Sequence, residues 1–216
     1  MDTSMGAARR PMRRSNEQRS AEMRTALIEG SIASLCELGY AHTTTQEICR
    51  RAGVTSGAIQ HHFGSKDDLI LATLNALRAE MQERLDAIAV LEGPLEARCS
   101  ALLTELWDSF YGLARYMAVW EVMIGSKGDP AFHARVIEQR FQTLEAYERT
   151  WRRTFQILEA DDRRMSAMHV ALSFLRGLVL YSERNERMVR SQLSVMAEAL
   201  GVVLNKSNRK DGKGRR

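Results

Sequence analysis

The sequence predicts an all-α protein, with a short N-terminal helical unit followed by a longer helical bundle. Apolar residues recur at three- and four-residue steps along most of the chain, which is the period of a helix face. No stretch reads as a credible strand, and there are no internal repeats. The breaks between periodic segments fall on Gly, Pro and capping residues, as helix ends require.

Residues 1–15 carry Arg9, Arg10, Arg13 and Arg14 without apolar periodicity and are expected to form a disordered basic arm. Ile28, Ile32, Leu35 and Leu38 then share a helix face that Gly39 ends. Thr43 with Gln46 reads as a capping box for a second segment, ended by Gly53 after about two and a half turns. Val54 follows as an apolar plug, and Thr55 is expected to cap a third short helix, residues 56–62, that carries Ile59 and Phe63 into the core. Gly64 breaks it. Ser65 with Asp68 then opens a longer helix through Leu69, Leu77, Met81 and Leu85.

Pro94 fits the first residue of the next helix, striped by Leu95, Cys99, Leu102, Leu106, Phe110 and Leu113. Another holds Tyr116, Trp120 and Met123 and stops at residues 125–128. Asp129 and Pro130 read as N-cap and first residue of a long helix with Ile137, Phe141, Leu144, Trp151, Phe155 and Leu158 on one face. After a break at 160–162, residues 162–183 are apolar on nearly every face. A last amphipathic helix carries Leu193, Met196, Leu200 and Leu204, and residues 205–216 read as a disordered basic tail.

Composition narrows the function classes. Hydrophobic residues make up 44% and charged residues 27% of the 216, enough to build a core and stay soluble. The apolar run from Met165 to Leu175 stops at Arg176, short of the roughly 20 residues a membrane span needs. The Arg-rich N-terminus has no apolar segment of the secretory kind. Cys36, Cys49 and Cys99 are an odd number, far apart and among apolar neighbours, so free thiols in a reducing cytoplasm are expected. Net charge is +4, but residues 1–64 carry +2, residues 205–216 carry +5 and the middle carries −3. Basic ends suit a polyanion such as nucleic acid, or simply solubilise the tails. Nucleotide-binding glycine loops, zinc-protease and hydrolase signatures are all absent, so neither an enzyme nor a bound cofactor is expected. His61 and His62 are adjacent and about 100° apart on a helix, so they are not expected to share a metal ion.

Two short helices joined across Gly53, Val54 and Thr55 have the outline of a helix-turn-helix. Spacing alone fits an ordinary three-helix corner equally well. The run from Gly39 to Leu69 separates the two, above all Thr43-Thr44-Thr45, Ile48, Ala52-Gly53-Val54-Thr55-Ser56-Gly57, Ile59, His62-Phe63 and Lys66. Over about residues 20–72 it closely resembles the tetracycline-repressor (TetR) family of bacterial transcriptional regulators. The rest matches only in its all-helical layout.

The resemblance implies a DNA-binding head at 16–64, with a ligand-binding and dimerisation region at 65–204. It implies that Thr44 and Lys66 meet DNA phosphates, that Thr55, Ser56 and Gly57 open the recognition helix, and that Gln60 and His61 face the major groove. His62 would lie near the DNA backbone. Where the family usually has Tyr, this chain has Gln60, so the operator sequence is not transferable. Thr43 and Thr55 also have a plainer role as caps, and His62 one as a packed residue.

The resemblance further implies a nucleoid-associated regulator in the cytoplasm, on a palindromic operator, with a small organic effector between the helices of the bundle. A helix apolar all round must be covered on two sides, so a homodimer through 162–183 and 187–204 is expected, broken by Arg at Leu175 or Leu178. Candidate effector-contacting residues are Trp107, Phe110, Trp120, Met123, Phe141, Glu148, Trp151 and Phe174, most of which core packing explains equally well. Glu121, Glu148 and Arg176 are charges set in apolar stripes, and pairing with one another is the alternative to contacting a ligand. A helical interaction module without an effector, or an activator in place of a repressor, stays open.

Overall fold

The computed structural model describes residues 15–88, 92–157, 161–181 and 185–211. Among them run nine α-helices and no strand: α1 (Asn16–His42), α2 (Thr45–Ala52), α3 (Gly57–His62), α4 (Lys66–Ala87), α5 (Leu95–Leu106), α6 (Ala114–Gly125), α7 (Pro130–Phe155), α8 (Asp162–Tyr181) and α9 (Glu186–Asp211). A π-helical turn, Trp107–Tyr111, follows α5, and a 3-10 turn, Ser126–Gly128, follows α6. No described helix is long and apolar enough to cross a membrane.

The ends of the first helices follow local hydrogen bonding. Ser15 and Gln18 form a reciprocal capping box at the start of α1. Near its end Gly39 leaves helical geometry at φ 74°, a conformation that costs other residues a Cβ clash. The cap of α2 is Thr44 and not Thr43: the Thr44 hydroxyl accepts from the Glu47 amide at 3.2 Å. Thr43 is wholly buried instead, its hydroxyl donating to the Gly39 carbonyl at 2.7 Å and accepting from Ser34 at 3.1 Å. Packing against α1 therefore claims the residue that the capping pattern put at the helix start. Gly53, at φ 67°, ends α2 with the Val54 amide donating to the Cys49 carbonyl at 3.0 Å. The expected side-chain cap at Thr55 is not formed. Ser56 occupies the cap position of α3 without a side-chain bond, and Thr55 contributes its carbonyl to the Ala58 amide.

Ser65 caps α4, accepting from the Asp68 amide at 3.0 Å. Asp129 caps α7, accepting from the amides of Ala131 and Phe132. At the other end of α7, Gln156 adopts φ 53°, so a residue other than glycine closes that helix.

Helix α4 ties three apolar clusters together. Its Leu69 packs with Leu27, Ile48, Cys49 and Ile59 in the head. Ile70, Leu71 and Leu74 join Leu35 of α1, Ala118 and Val122 of α6, and Phe132 and Val136 of α7. Met81 and Leu85 enter the large body cluster with Cys99, Leu102, Tyr147, Trp151, Met168 and Leu175. Each fully buried Leu contributes about 1.5–3 kcal/mol, so the head is held to the body through α4 by several such residues.

Three sequence expectations need correction. On α7 the buried line runs through Phe132, Val136, Tyr147, Trp151 and Thr154, whereas Phe141 is 65% exposed. It sits about 140° round the helix from Val136. The inward side of α7 carries Gln139 and Thr143 at this level, so apolar spacing chose the wrong face there. On α8, Leu175 and Leu178 are buried in the chain's own core, and the apolar residues left open are Val170 and Leu180. Helix α9 continues to Asp211, past the expected end at 204. The basic arm at 1–14, Leu158 and residues 212–216 lie outside the described residues.

Candidate nucleic-acid interface and internal cavity

The outer side of the head is built by α2 and α3. Ile48 and Cys49 of α2 and Ile59 of α3 point into the head core. That orientation leaves Thr44, Thr55, Ser56, Gly57, Gln60 and His61 exposed. A Cβ added at Gly57 would meet nothing within 4 Å, so the start of α3 is open. Small side chains at a helix start let its backbone come close to a groove wall or a phosphate.

His62 and Lys66 are half-buried. The His62 carbonyl accepts from the Arg24 guanidinium, which also lies 4.2 Å over the Phe63 ring. Burial, then the neighbouring His61 and Arg24, lower the His62 pKa below the ordinary imidazole value. The Lys66 ammonium sits 5.2 Å over the Tyr40 ring, and burial pulls its pKa below the ordinary lysine value. Behind this surface Glu47 accepts from Arg50 and Arg51, and Arg51 also reaches Glu37 of α1 at 2.8 Å. Those two hydrogen bonds hold the Glu47 carboxyl at about 2. No cluster of three or more potential metal ligands occurs among the described residues.

The body contains a cavity of about 80 Å³ between α4, α6, α7 and α8. A single water needs roughly 10–15 Å³ on this measure, so the space holds more than isolated waters. Leu74, Leu77, Met81, Phe110, Trp120, Met123 and Val136 give it apolar walls. The π-helical turn after α5 brings Phe110 and Tyr111 to its side, the kind of local irregularity that recurs at functional sites.

Of the effector-contacting residues expected from sequence, Phe110, Trp120 and Met123 line this cavity and the other five do not. Trp107 packs in the body core and borders a separate groove beside Asp108 and Arg190. Trp151 is core, its indole N–H donating to the Arg164 carbonyl at 3.1 Å. Phe174 packs against the same core, Glu148 lies one residue off the buried Tyr147, and Phe141 faces solvent. Of the three embedded charges, Arg176 lines the cavity. Glu121 instead accepts from the Tyr40 amide, and no ion pair joins Glu121, Glu148 and Arg176 among the described residues.

Sequence reasoning missed most of the polar wall: Arg78, Tyr111, Gln139, Arg140 and Tyr147. The available signal was Arg78 directly after Leu77 in the buried stripe of α4, and Tyr147 four residues before Trp151.

Residues 27–73 match the family model for bacterial regulatory proteins of the tetR family. Among curated relatives, the chain is 38% identical over 73 residues to the HTH-type transcriptional regulator BetI 2 of Chromohalobacter salexigens, covering 34% of each protein. It is 26% identical over 196 residues to the HTH-type transcriptional regulator CymR of Pseudomonas putida, covering 87% of this chain and 96% of that one. The chain spans only about a third of the BetI 2 protein and 60% of an uncharacterised Mycobacterium tuberculosis relative. In fold it is similar to a putative TetR-family regulator from Mesorhizobium loti, with a TM-score of 0.68 at 17% identity, covering 86% of this chain and 98% of that one. It is also similar to FadR from Bacillus subtilis, solved in complex with stearoyl-CoA, with a TM-score of 0.61 at 15% identity over 83% and 96% of the two chains. The head thus matches the family model of the tetR regulators over residues 27–73, and the chain as a whole is similar in fold to solved regulators of that family.

Proposed function

We propose that this protein is a ligand-responsive transcriptional repressor that binds a palindromic operator as a homodimer and leaves it when a small effector fills the cavity. The observation that carries the DNA half of this reading is the division of α3. Ile59 is buried while Ser56, Gly57, Gln60 and His61 are open, so the helix is anchored on one side and free to enter a groove on the other.

In this reading the head spans residues 16–64 and the effector and dimer region spans 65–204. Gln60 and His61 read base edges, and Thr44 and Lys66 meet phosphates. Thr55, Ser56 and Gly57 bring the α3 start against the DNA. Dimerisation uses the open faces of α8 and α9. On α9, Met188, Val195 and Val202 are exposed at seven-residue steps, the repeat of a helix seam. On α8, Val170 and Leu180 are exposed, and a Cβ at the intervening Gly177 would meet nothing within 4 Å, which leaves room for a partner helix. Effector binding shifts the population toward a form in which the two recognition helices no longer match successive major grooves.

The test is Gly57→Val in the full chain. Open space at this position leaves the fold unstrained, so melting temperature and dimerisation are retained while binding to genomic DNA fragments is lost. Retained sequence-specific binding by this variant contradicts the reading.

A further inference from the structure

The cavity walls are chemically one-sided. Arg78, Arg140 and Arg176 line it, and no Asp or Glu does. None of the three arginines has an ion-pair partner among the described residues. The buried Nε of Arg78 has no hydrogen-bond acceptor. Arg140 lies at the exposed rim with its guanidinium 5.7 Å from the Trp120 ring. The hydroxyls of Tyr111 and Tyr147, both almost wholly buried, have only each other and Tyr116 close by, none in good hydrogen-bond geometry with them, and Tyr116 in turn lies beside Arg176. Gln139 donates to the Leu71 carbonyl at 3.3 Å and leaves its own Oε1 as one acceptor facing this set of donors.

A buried donor without an acceptor is costly, and the half-buried Arg78 and Arg176 add two cations that no carboxylate of the wall offsets. Such a set persists where a ligand supplies what is missing. We infer that the ligand of this cavity is a compact aromatic or aliphatic carboxylate, held by Arg176 and Arg78 through its carboxylate and by the apolar walls through its body. This rests on the reading of the cavity as the effector site and adds the sign of the ligand's charge.

Burial raises the pKa of Tyr111, Tyr116 and Tyr147 above the ordinary phenol value, although the charge on Arg176 opposes this. All three therefore stay protonated at neutral pH, and the Tyr111 and Tyr147 hydroxyls can donate to an anion. A cationic ligand meets three arginines and no counter-charge. A neutral amide satisfies fewer donors and neutralises no charge. The walls, Phe110 and Trp120 among them, offer aromatic faces to a flat ring. The volume suits a ring or short chain in the cavity itself, with Arg140 at its mouth.

The experiment uses the full-length protein with three matched series: benzoate, phenylacetate and hexanoate, their primary amides, and the corresponding amines. Affinity is read from the fluorescence of Trp120, assigned with Trp120→Phe, and from the rise in melting temperature. The carboxylates are expected to bind at least about tenfold more tightly than their amides, the scale of a charged hydrogen bond. The amines are expected not to bind. Arg176→Gln removes that preference, and Arg176→Lys restores part of it. Tyr147→Phe and Arg78→Gln weaken the carboxylates without strengthening the amines, and serve if Arg176→Gln does not fold. Amides or amines that bind as tightly as the carboxylates overturn the inference while leaving the cavity as an effector site. A carboxylate preference that survives both arginine variants also overturns it. Absence of binding by all three series overturns both.

Discussion

The backbone amide of Tyr40 donates to the Glu121 carboxylate at 2.8 Å, joining the end of the first helix of the head to the sixth helix, which also supplies Trp120 and Met123 to the cavity. The junction is tight. A Cβ at Gly39 would run into the Glu121 carboxylate, and one at Gly125 would run into the Tyr40 ring. Tyr40 in turn carries Lys66 over its ring and stacks on Phe132 at a centroid distance of 6.4 Å. In the proposed reading, a shift of α6 on filling the cavity would pass through this junction to α1 and to the start of α4, which packs with α1, α2 and α3 in the head core.

Glu121→Ala leaves the Tyr40 amide without its acceptor and is expected to destabilise the protein by about 1–3 kcal/mol, with Glu121→Gln costing less because it keeps an acceptor oxygen. Urea denaturation of the two variants measures this. Equal effects of Ala and Gln would show that the hydrogen bond contributes nothing.

Removal of Thr44 has two consequences that must be separated. Thr44→Ala removes the N-cap of α2 and is expected to cost about 1 kcal/mol of stability; under the proposed phosphate contact it is also expected to weaken all DNA sequences alike. Thr44→Ser keeps the cap. It is expected to restore the melting temperature and most of the DNA affinity together, as measured by thermal melting and by anisotropy with a labelled duplex. A Ser variant as unstable as the Ala variant would remove the capping role.

The dimer face is tested on residues that the chain's own core does not use. Val195→Arg and Leu180→Arg place a charge on exposed positions, so the folded monomer is expected to survive and sedimentation to show loss of the dimer. Arginine at Leu175 or Leu178 would instead unfold the body, because both are buried within one protomer. Two exposed-face variants that remain dimeric at micromolar concentration would locate the interface elsewhere.

Acid stability of the head follows the sign of the Glu47 shift. Its carboxyl is held at about 2 by hydrogen bonds from Arg50 and Arg51, against roughly 4.3 in an unfolded chain. A depressed carboxylate stabilises the fold above the unfolded value, and that contribution is lost as pH falls from about 4.3 toward 2. Glu47→Gln is therefore expected to flatten the pH dependence of stability in this window and to leave its slope near neutrality unchanged. Circular dichroism melts across pH 2–7 distinguish the two; an unchanged acid slope would contradict the assignment.

Much of the fold was legible because helix boundaries are written locally. Ser65, Asp129 and Gly53 are the stops and caps that their residue types imply. The placement of Thr43 and Phe141 was not legible, for different reasons. Thr43 and Thr44 have the same capping chemistry, and only the packing of α1 against α2 decides which is buried. Phe141 misled because the inward face of α7 turns polar where it borders the cavity. A cavity wall of Arg, Tyr and Gln lacks the apolar periodicity that marks a buried face. The same fact hid Arg78 and Tyr147, so the site was least readable where its chemistry is richest.

The central claim is that α3 of a symmetric dimer reads DNA through Gln60 and His61. Selection of the full-length protein against random duplex DNA tests it most directly. Enrichment of an inverted repeat with two half-sites is expected, and the Gln60→Ala/His61→Ala double variant is expected to lose about 1–3 kcal/mol of discrimination at each base contact removed. Enrichment of no inverted repeat, or full retention of specific binding by the double variant, would contradict it.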